Sequence, residues 1–256
     1  MSWLSRALAA ASQIVPGLGL PPDRQIKALT VEQAQLLASR DTDLWLNSLT
    51  SITPEIAEAL ARHRQALGLN ALTTLSPEVA SKLARHEGIL GLNGLTSLCD
   101  AAAKEFSRHN GSLGLGGLAA LSDVAAEALG RRSGCLGLDG LVSLSPEAAG
   151  GLSQHVGDLV LRGLKTLSDE AAHALGHHSG RLFLDGLTSL SPNAAQGLAR
   201  NKGVLCLNGL IDLSAETAAA LSHHQDNLFL DGLQSLTADA AESLAAHAMP
   251  MSLNGL

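Results

Sequence analysis

Hydrophobic and polar positions along the chain recur with a period of 23 residues. LWLNSLTSITPEIAEALARHRQA begins at Leu44, LGLNALTTLSPEVASKLARHEGI begins at Leu67, and the register continues without insertion or deletion to Leu228. We number the positions of each repeat from these leucines, which gives nine full repeats, 44–250, and the start of a truncated tenth, 251–256. A fixed period of this length is typical of a solenoid, in which each unit packs on its two neighbours.

Within each repeat the pattern predicts a short strand and then a short helix. Positions 1 and 3 are leucine, except Met251, and this alternation is typical of a strand. Asn-Gly or Asp-Gly at positions 4 and 5 predicts a sharp bend, because both residues tolerate positive φ. Serine or threonine at position 10, often followed by proline or aspartate, predicts the start of a helix. Alanine at position 14 and an apolar residue at position 17 are expected to face inward, and glycine at position 22 to end the helix in the left-handed conformation.

This pattern resembles the leucine-rich repeat family over 44–256 and, in degraded form, over part of 20–43. The resemblance rests on the L-x-L strand, the later leucines at three-residue steps and the helix that follows. The family usually carries Asn or Cys three residues after the second strand leucine, where this chain has leucine throughout, so it resembles an atypical bacterial-type variant. The resemblance implies an α/β solenoid, a right-handed coil with short parallel strands on the concave face and short helices on the convex face. It also implies a non-enzymatic binding scaffold.

The two ends of the chain differ from the repeats. Residues 1–43 are predicted to form an N-terminal helical cap with a degenerate half repeat, in which Thr30 is the N-cap and Ala34 and Leu37 face inward. The first segment is interpreted as a packed amphipathic helix, with a signal sequence or membrane-surface anchor as the alternative. At the other end the chain stops just after a strand, which leaves an uncapped edge at Leu253. Either the native protein continues or this edge meets another copy.

Composition and charge narrow the class of partner. The chain is 46% hydrophobic but only 2% aromatic, so its core is expected to consist of leucine and alanine. A net charge of −7 argues against nucleic acid as a partner, since phosphate binding needs clustered basic residues. No apolar run reaches the roughly 18 residues of a membrane span. The three cysteines lie at different repeat positions and are expected to stay free, which favours a reducing, cytoplasmic compartment and leaves secretion open.

Position 2 of the repeats provides the main candidate for a binding site. This row reads Trp45, Gly68, Gly91, Gly114, Gly137, Val160, Phe183, Cys206, Phe229 and Ser252. Because position 2 faces away from the core, Val160, Phe183, Cys206 and Phe229 are predicted to form a contiguous exposed apolar stripe, which suggests a contact for a protein or peptide. The alternative is that the aromatic side chains only cover glycines or cross-strand neighbours.

Position 4 runs beside this stripe and carries most of the charge near it. Arg162 is predicted to lie between Asp139 and Asp185 of adjacent coils, as local charge compensation. Asp185 and Asp231 are candidates for a polar rim around the stripe. The alternative is a turn-forming role for the whole row.

Two further rows invite sharper hypotheses. Position 20 is histidine in seven of nine repeats, and His173 and His177 share one helical face, which raises the possibility of a metal site. We favour helix-end capping, in which histidine bonds terminal carbonyls and the helix dipole favours a partial positive charge. Position 19 is arginine in the first four repeats, and the same argument applies, with an anionic polymer as the alternative ligand.

No catalytic set, phosphate-binding loop or paired carboxylates stand apart from the repeat, so neither an enzyme nor a cofactor nor a metal is expected. The sequence predicts a non-enzymatic repeat scaffold that binds a protein or peptide on its concave face. Two alternatives remain: a structural solenoid that associates end to end through the C-terminal edge, and a binder of glycans or anionic polymers.

Overall fold

A computed structural model describes residues 22–256. Ten two-residue strands form one parallel sheet in sequence order, and a helix follows each of the first nine. Strands β1–β10 are Leu44–Trp45, Leu67–Gly68, Leu90–Gly91, Leu113–Gly114, Leu136–Gly137, Leu159–Val160, Leu182–Phe183, Leu205–Cys206, Leu228–Phe229 and Met251–Ser252. Helices α1–α10 are Val31–Ala38, Pro54–Leu60, Pro77–Leu83, Asp100–Phe106, Asp123–Gly130, Pro146–Ser153, Asp169–Leu175, Pro192–Leu198, Ala215–Ser222 and Ala238–Leu244. The predicted solenoid of alternating strands and helices is confirmed.

The core runs along the axis of the coil, between the sheet and the helices. Leucines at positions 1, 3 and 6 are buried in all full repeats, and they pack on the residues at positions 14 and 17 of the helices. The alanines at position 14 are fully buried from Ala57 to Ala218, as predicted. Ala241 of α10 is exposed, because no further helix within residues 22–256 packs against it. Burial therefore comes from neighbouring coils.

Helix starts follow the predicted chemistry. Each of the nine serine or threonine N-caps of the described helices accepts a hydrogen bond from the backbone N–H three residues later. Thr30 forms a reciprocal capping box with Gln33, and Ala34 and Leu37 are fully buried. The predicted first helix lies outside the described residues. Cys99, the N-cap of α4, makes no side-chain cap bond.

Glycines serve close packing more than unusual backbone angles. Among the described glycines only Gly134 and Gly157, both at position 22, have positive φ, at 89° and 136°, so the predicted left-handed glycine at this position is otherwise wrong. A Cβ on Gly94, at position 5, would lie 2.0 Å from the Asn70 carbonyl oxygen of the preceding coil. A Cβ on Gly111, at position 22, would lie 1.9 Å from the Gly88 oxygen. These positions need glycine because successive coils approach too closely for a side chain.

The same closeness occurs between helices α5 and α6. A Cβ on Gly130 would lie 1.9 Å from the carbonyl oxygen of Gly151, and a Cβ on Gly151 would lie 2.7 Å from the backbone nitrogen of Glu127. The two helices therefore pack backbone to backbone at this point of the coil.

Residues 22–256 contain no helix that is both long and apolar enough to span a bilayer. The last strand, β10, pairs with β9 alone among these residues, and Leu253 behind it is only partly buried.

The missing cap bond at Cys99 gives a direct test of how much a single helix start contributes. Cys99→Ser is expected to raise the free energy of unfolding by about 1 kcal/mol, because the hydroxyl can accept the bond that the other N-caps accept. Urea denaturation would measure the change, with Ser76→Cys as the matched control that should lower stability by a similar amount. Equal stability of Cys99→Ser and wild type would contradict the capping role.

Candidate functional site

Position 2 lies on the concave surface of the sheet. Positions 1 and 3 of the same strands are buried in the core, so the side chain between them faces the opposite side. The strand register pairs Val160 with Phe183, Phe183 with Cys206, and Cys206 with Phe229. The predicted order of the stripe is therefore present in the structure, with each side chain beside the next.

The stripe is less exposed than predicted. Val160 is 8% exposed and Cys206 6%, whereas Phe183 and Phe229 are half-buried. Parallel strands place neighbours about 4.8 Å away on both sides, so Phe183 and Phe229 shield Cys206 between them, and Phe183 shields Val160 from one side. Burial also raises the pKa of the Cys206 thiol to about 12, which keeps it protonated and unsuited to act as a nucleophile.

Arg162, Phe183 and Asp185 form one cluster at the edge of the stripe. The guanidinium carbon of Arg162 lies 4.9 Å from the centroid of the Phe183 ring, in a cation–π contact. Its Nε donates to Asp185 Oδ2 at 3.0 Å, and its Nη1 lies 3.9 Å from Asp139 Oδ1. The predicted charge compensation between adjacent coils is confirmed, and the arginine also covers one face of the ring.

Position 4 forms a ladder of side-chain to backbone hydrogen bonds between coils. Asn47 Oδ1 accepts from the backbone N–H of Asn70 at 3.2 Å, and Asn70 Oδ1 accepts from that of Asn93 at 2.9 Å. Further along the coil, Asp185 accepts from the backbone and amide nitrogens of Asn208 at 3.2 and 2.9 Å. The asparagines of this chain stand two residues before the position that is usual in leucine-rich repeats. They nevertheless bond the backbone of the next coil.

The ladder continues to the last described strand and lapses in the middle. Asp231 accepts from the Asn254 backbone N–H at 3.0 Å and from the Ser252 hydroxyl, which lowers the pKa of Asp231 through the Ser252 bond first. The backbone N–H of Gly116 donates to Asn93 Oδ1 at 2.9 Å, but Gly116 has no side chain that could accept from the next coil. Asp185 and Asp231 are therefore rungs of the ladder more than a free polar rim.

A groove on the concave face was not singled out from the sequence. It encloses about 250 Å³ over the glycines Gly91, Gly114 and Gly137 of three successive strands. Trp45 closes one end, where its ring covers Gly68 so closely that a Cβ there would lie 2.3 Å from Trp45 Cε3. Val160, at the start of the stripe, lines the other end.

The groove and the stripe are parts of one surface. The groove has an apolar floor, and polar groups of Asn93, Asp139 and Arg162 line it on the side of position 4. The signal for it in the sequence was the run of glycines at position 2 between a tryptophan and a valine. Such a surface can take an apolar side chain on the floor and offer hydrogen bonds at the edge.

The histidines at position 20 form a buried ladder. Rings of neighbouring repeats lie parallel, with centroids 6.1–6.3 Å apart, in the stacks His63–His86–His109, His155–His178 and His224–His247. Nδ1 of His63 lies 3.3 Å from the carbonyl oxygen of Ala38, at the end of the preceding helix, and Nδ1 of His224 lies 3.4 Å from that of Ala199. The predicted carbonyl bonding is confirmed.

The predicted partial positive charge on this row is wrong. Burial lowers the pKa of His109 and of His155 to about 4, and it also lowers the pKa of His86, His178 and His224. Desolvation of the charged ring exceeds the favourable effect of the helix end. The described part of the chain holds no cluster of three or more residues suited to a metal ion.

Arg132 interrupts this ladder with a buried cation. Its side chain is 2% exposed and donates to the carbonyl oxygens of Cys135, at 3.2 Å, and Gly111. No carboxylate pairs with it among residues 22–256, and burial lowers its pKa to about 10. Asn201 replaces histidine at the second interruption of the ladder, and its side-chain amide donates to the His178 carbonyl at 2.7 Å.

The arginines at position 19 do not form a free basic track. Arg108 pairs with Glu105 at 3.0 Å and Arg131 with Glu127 at 2.6 Å, each within one helical turn. The neighbouring carboxylates thus neutralise part of the row that the anionic-polymer hypothesis needs.

The ten parallel strands, alternating with helices in an open coil, define the fold of the leucine-rich-repeat proteins. A leucine-rich-repeat protein of Leptospira interrogans is 22% identical over 87% of this chain and 58% of its own, with a TM-score of 0.53. Toll, in the Toll–Spatzle complex of Drosophila, is 14% identical over 80% of this chain and 31% of its own, with a TM-score of 0.52. An internalin of Listeria monocytogenes is 14% identical over 82% of this chain and 73% of its own, with a TM-score of 0.40.

The likeness to the first two of these structures shows the fold alone. The chain spans 58% and 31% of their lengths. No protein-family model matches the sequence, and no curated protein matches it.

The buried histidines predict that stability falls in mild acid. Their pKa is lower in the folded state than the unfolded value of about 6.5, so the unfolded chain binds more protons below that pH. The stabilisation that the neutral, buried histidines contribute is fully present above about pH 6.5 and is lost as the pH falls toward 4. Between pH 7 and pH 5, His109 and His155 are each expected to lose about 2 kcal/mol of stabilisation.

Urea denaturation as a function of pH would measure this loss. His109→Asn/His155→Asn introduces the residue that repeat 7 already carries at Asn201 and should flatten the profile between pH 7 and pH 5. His223→Asn, at an exposed site, should leave the profile unchanged. An equally steep profile in the double variant would refute the role of the buried ladder.

The buried cation gives a second prediction. Arg132→His is expected to raise the free energy of unfolding at pH 7 by about 1–2 kcal/mol, because a neutral ring replaces a desolvated guanidinium without a carboxylate partner. Arg131→His, at the exposed neighbouring position, is the matched control and should change stability by less than about 0.5 kcal/mol. If Arg132→His is destabilising, the bonds to Gly111 and Cys135 outweigh the desolvation of the cation.

Proposed function

We propose that the protein is a non-enzymatic repeat scaffold that binds a protein or peptide on its concave face. The observation that carries this proposal is the continuous surface made by the glycine-floored groove and the stripe from Val160 to Phe229. In a chain with 2% aromatic residues, Trp45, Phe183 and Phe229 all lie on this one face.

The size of the groove favours a side chain as its occupant. Its volume of about 250 Å³ is below the roughly 300–1,000 Å³ of most small-molecule sites. An apolar anchor residue of a larger partner would fill it, while Phe183 and Phe229 extend the contact along the coil. Toll, which is similar in fold, forms a complex with Spatzle, and this supports the proposal by analogy of fold alone.

A second candidate function is end-to-end association of the solenoid. Ala241 is exposed where its equivalents in the other repeats are buried, and Leu256 is 56% exposed beside the β10 edge. A second copy of the chain could cover this end by continuing the sheet and the core.

Filling the groove tests the concave site most directly. A Cβ on Gly137 would meet only ordinary contacts, 3.6 Å to Asp139 Oδ2 and 3.8 Å to Gly114 Cα, so Gly137→Phe is expected to fold and to occupy the groove. Gly150→Phe is the matched control, since a Cβ on Gly150 meets nothing within 4 Å on the surface of α6. Affinity capture followed by a direct affinity measurement should show at least about tenfold weaker binding for Gly137→Phe only.

The stripe is tested separately with Phe183→Ser/Phe229→Ser. Val142→Ser/Ile211→Ser, which alters two exposed apolar residues at position 7, is the control. Circular dichroism must show that all variants keep the fold. Binding that is unchanged in both Gly137→Phe and the phenylalanine double variant would overturn the concave site, and a mass that rises with protein concentration would then favour end-to-end association.

A further inference from the structure

Two clefts occupy equivalent places near the two ends of the helical side of the coil. One lies between α2 and α3, encloses about 420 Å³ and is lined by Arg62 and Arg64, together with Arg85. The other lies between α8 and α9, encloses about 720 Å³ and is lined by Arg200 and Lys202. The two pairs of cations stand 138 residues apart, which is six periods of 23, at positions 19 and 21.

The clefts differ in their carboxylates. Glu58 and Glu87 line the first cleft, and the residues 138 positions later, Gln196 and Gln225, line the second. Each glutamine has nearly the shape of glutamate but no charge. No acidic residue lines the second cleft, so its two cations remain uncompensated in a chain whose net charge is −7.

The second cleft is also larger. In the first, Lys82 of α3 bonds Glu58 at 2.6 Å and ties the two helices together at the surface. The equivalent residue in the second cleft is Ala220, which lines it together with Ala219. Short side chains on α9 therefore leave the space that Lys82 and Glu58 bridge in the other cleft.

The polar side chains around the second cleft are hydrogen-bond donors. The loop that carries Arg200 and Lys202 is held in place by hydrogen bonds. Arg200 and Lys202 are exposed, and neither has an ion pair among residues 22–256. Between them, Asn201 is buried, donates to the His178 carbonyl at 2.7 Å and accepts from the Gly203 backbone N–H at 3.1 Å, which holds the loop. His223 Nδ1 donates to the Ala219 carbonyl at 2.8 Å, which leaves Nε2 available.

We propose that the cleft between α8 and α9 is an anion-binding site for a phosphate or sulfate group of a small molecule. Arg200 and Lys202 supply the charge, and the side-chain amides of Gln196 and Gln225 supply neutral donors to the remaining oxygens. The first cleft is expected to bind anions more weakly, because Glu58 and Glu87 offset much of the charge of its three arginines. The site is independent of the concave face and of any protein bound there.

Titrations of the full chain with inorganic phosphate and, separately, with sulfate would test the site by ¹H–¹⁵N NMR at constant ionic strength. Saturable shifts are expected for backbone amides of 196–202 and 219–225. Arg200→Gln/Lys202→Gln should weaken binding at least about tenfold, because charge-assisted hydrogen bonds are lost. Arg62→Gln/Arg64→Gln, which alters the equivalent cations of the first cleft, should leave the affinity unchanged.

Introducing the two carboxylates of the first cleft into the second cleft gives the sharper test. Gln196→Glu/Gln225→Glu recreates the two carboxylates of the first cleft, is expected to keep the fold, and should abolish binding of both anions. Tighter binding of one anion would identify whether the physiological group is a phosphate or a sulfate. Absence of saturable shifts at millimolar phosphate and sulfate, or equal shifts in Gln196→Glu/Gln225→Glu, would overturn the proposal.

Discussion

The close approach of the backbone of each coil to that of the next is the constraint on which this structure depends. Glycines such as Gly94 and Gly111 sit where any Cβ would collide with a carbonyl oxygen of the preceding coil. This spacing lets the strands pair, lets the asparagines at position 4 reach the next backbone, and lets the histidine rings stack. A single coil has none of these contacts, so each coil is stable only when it packs against its neighbours.

Function follows from departures from this regularity. A strict repeat gives rows of identical side chains. All points along such a row are equivalent, so none of them is a specific site for a ligand. The concave groove exists because glycines replace larger residues in consecutive strands between Trp45 and Val160. The cleft between α8 and α9 differs from the cleft between α2 and α3 because it has glutamines at the positions where the other cleft has glutamates. Both candidate sites are local variations on a scaffold that the leucines hold constant.

The fold could be predicted from the sequence because the period, the strand leucines and the hydroxyl N-caps all indicate the same unit. The candidate site could be predicted only in part. The alignment of rows gave the order of Val160, Phe183, Cys206 and Phe229, but not which of them their neighbours cover. The sequence indicates that the histidines at position 20 lie at helix ends, but not that the next coil buries them, and this burial favours the neutral ring in His86, His109, His155, His178 and His224.

The lapse of the position 4 ladder after Gly116 coincides with the interruption of the histidine ladder at Arg132. In the same coils α5 and α6 meet backbone to backbone at Gly130 and Gly151. The strand hydrogen bonds nevertheless continue through these coils, where the backbone N–H groups of Leu113 and Leu115 donate to the Cys135 and Gly137 carbonyl oxygens at 2.8 Å. The floor of the concave groove, at Gly114 and Gly137, lies on these same coils, so strand pairing sets the spacing of its walls where the two side-chain ladders are interrupted.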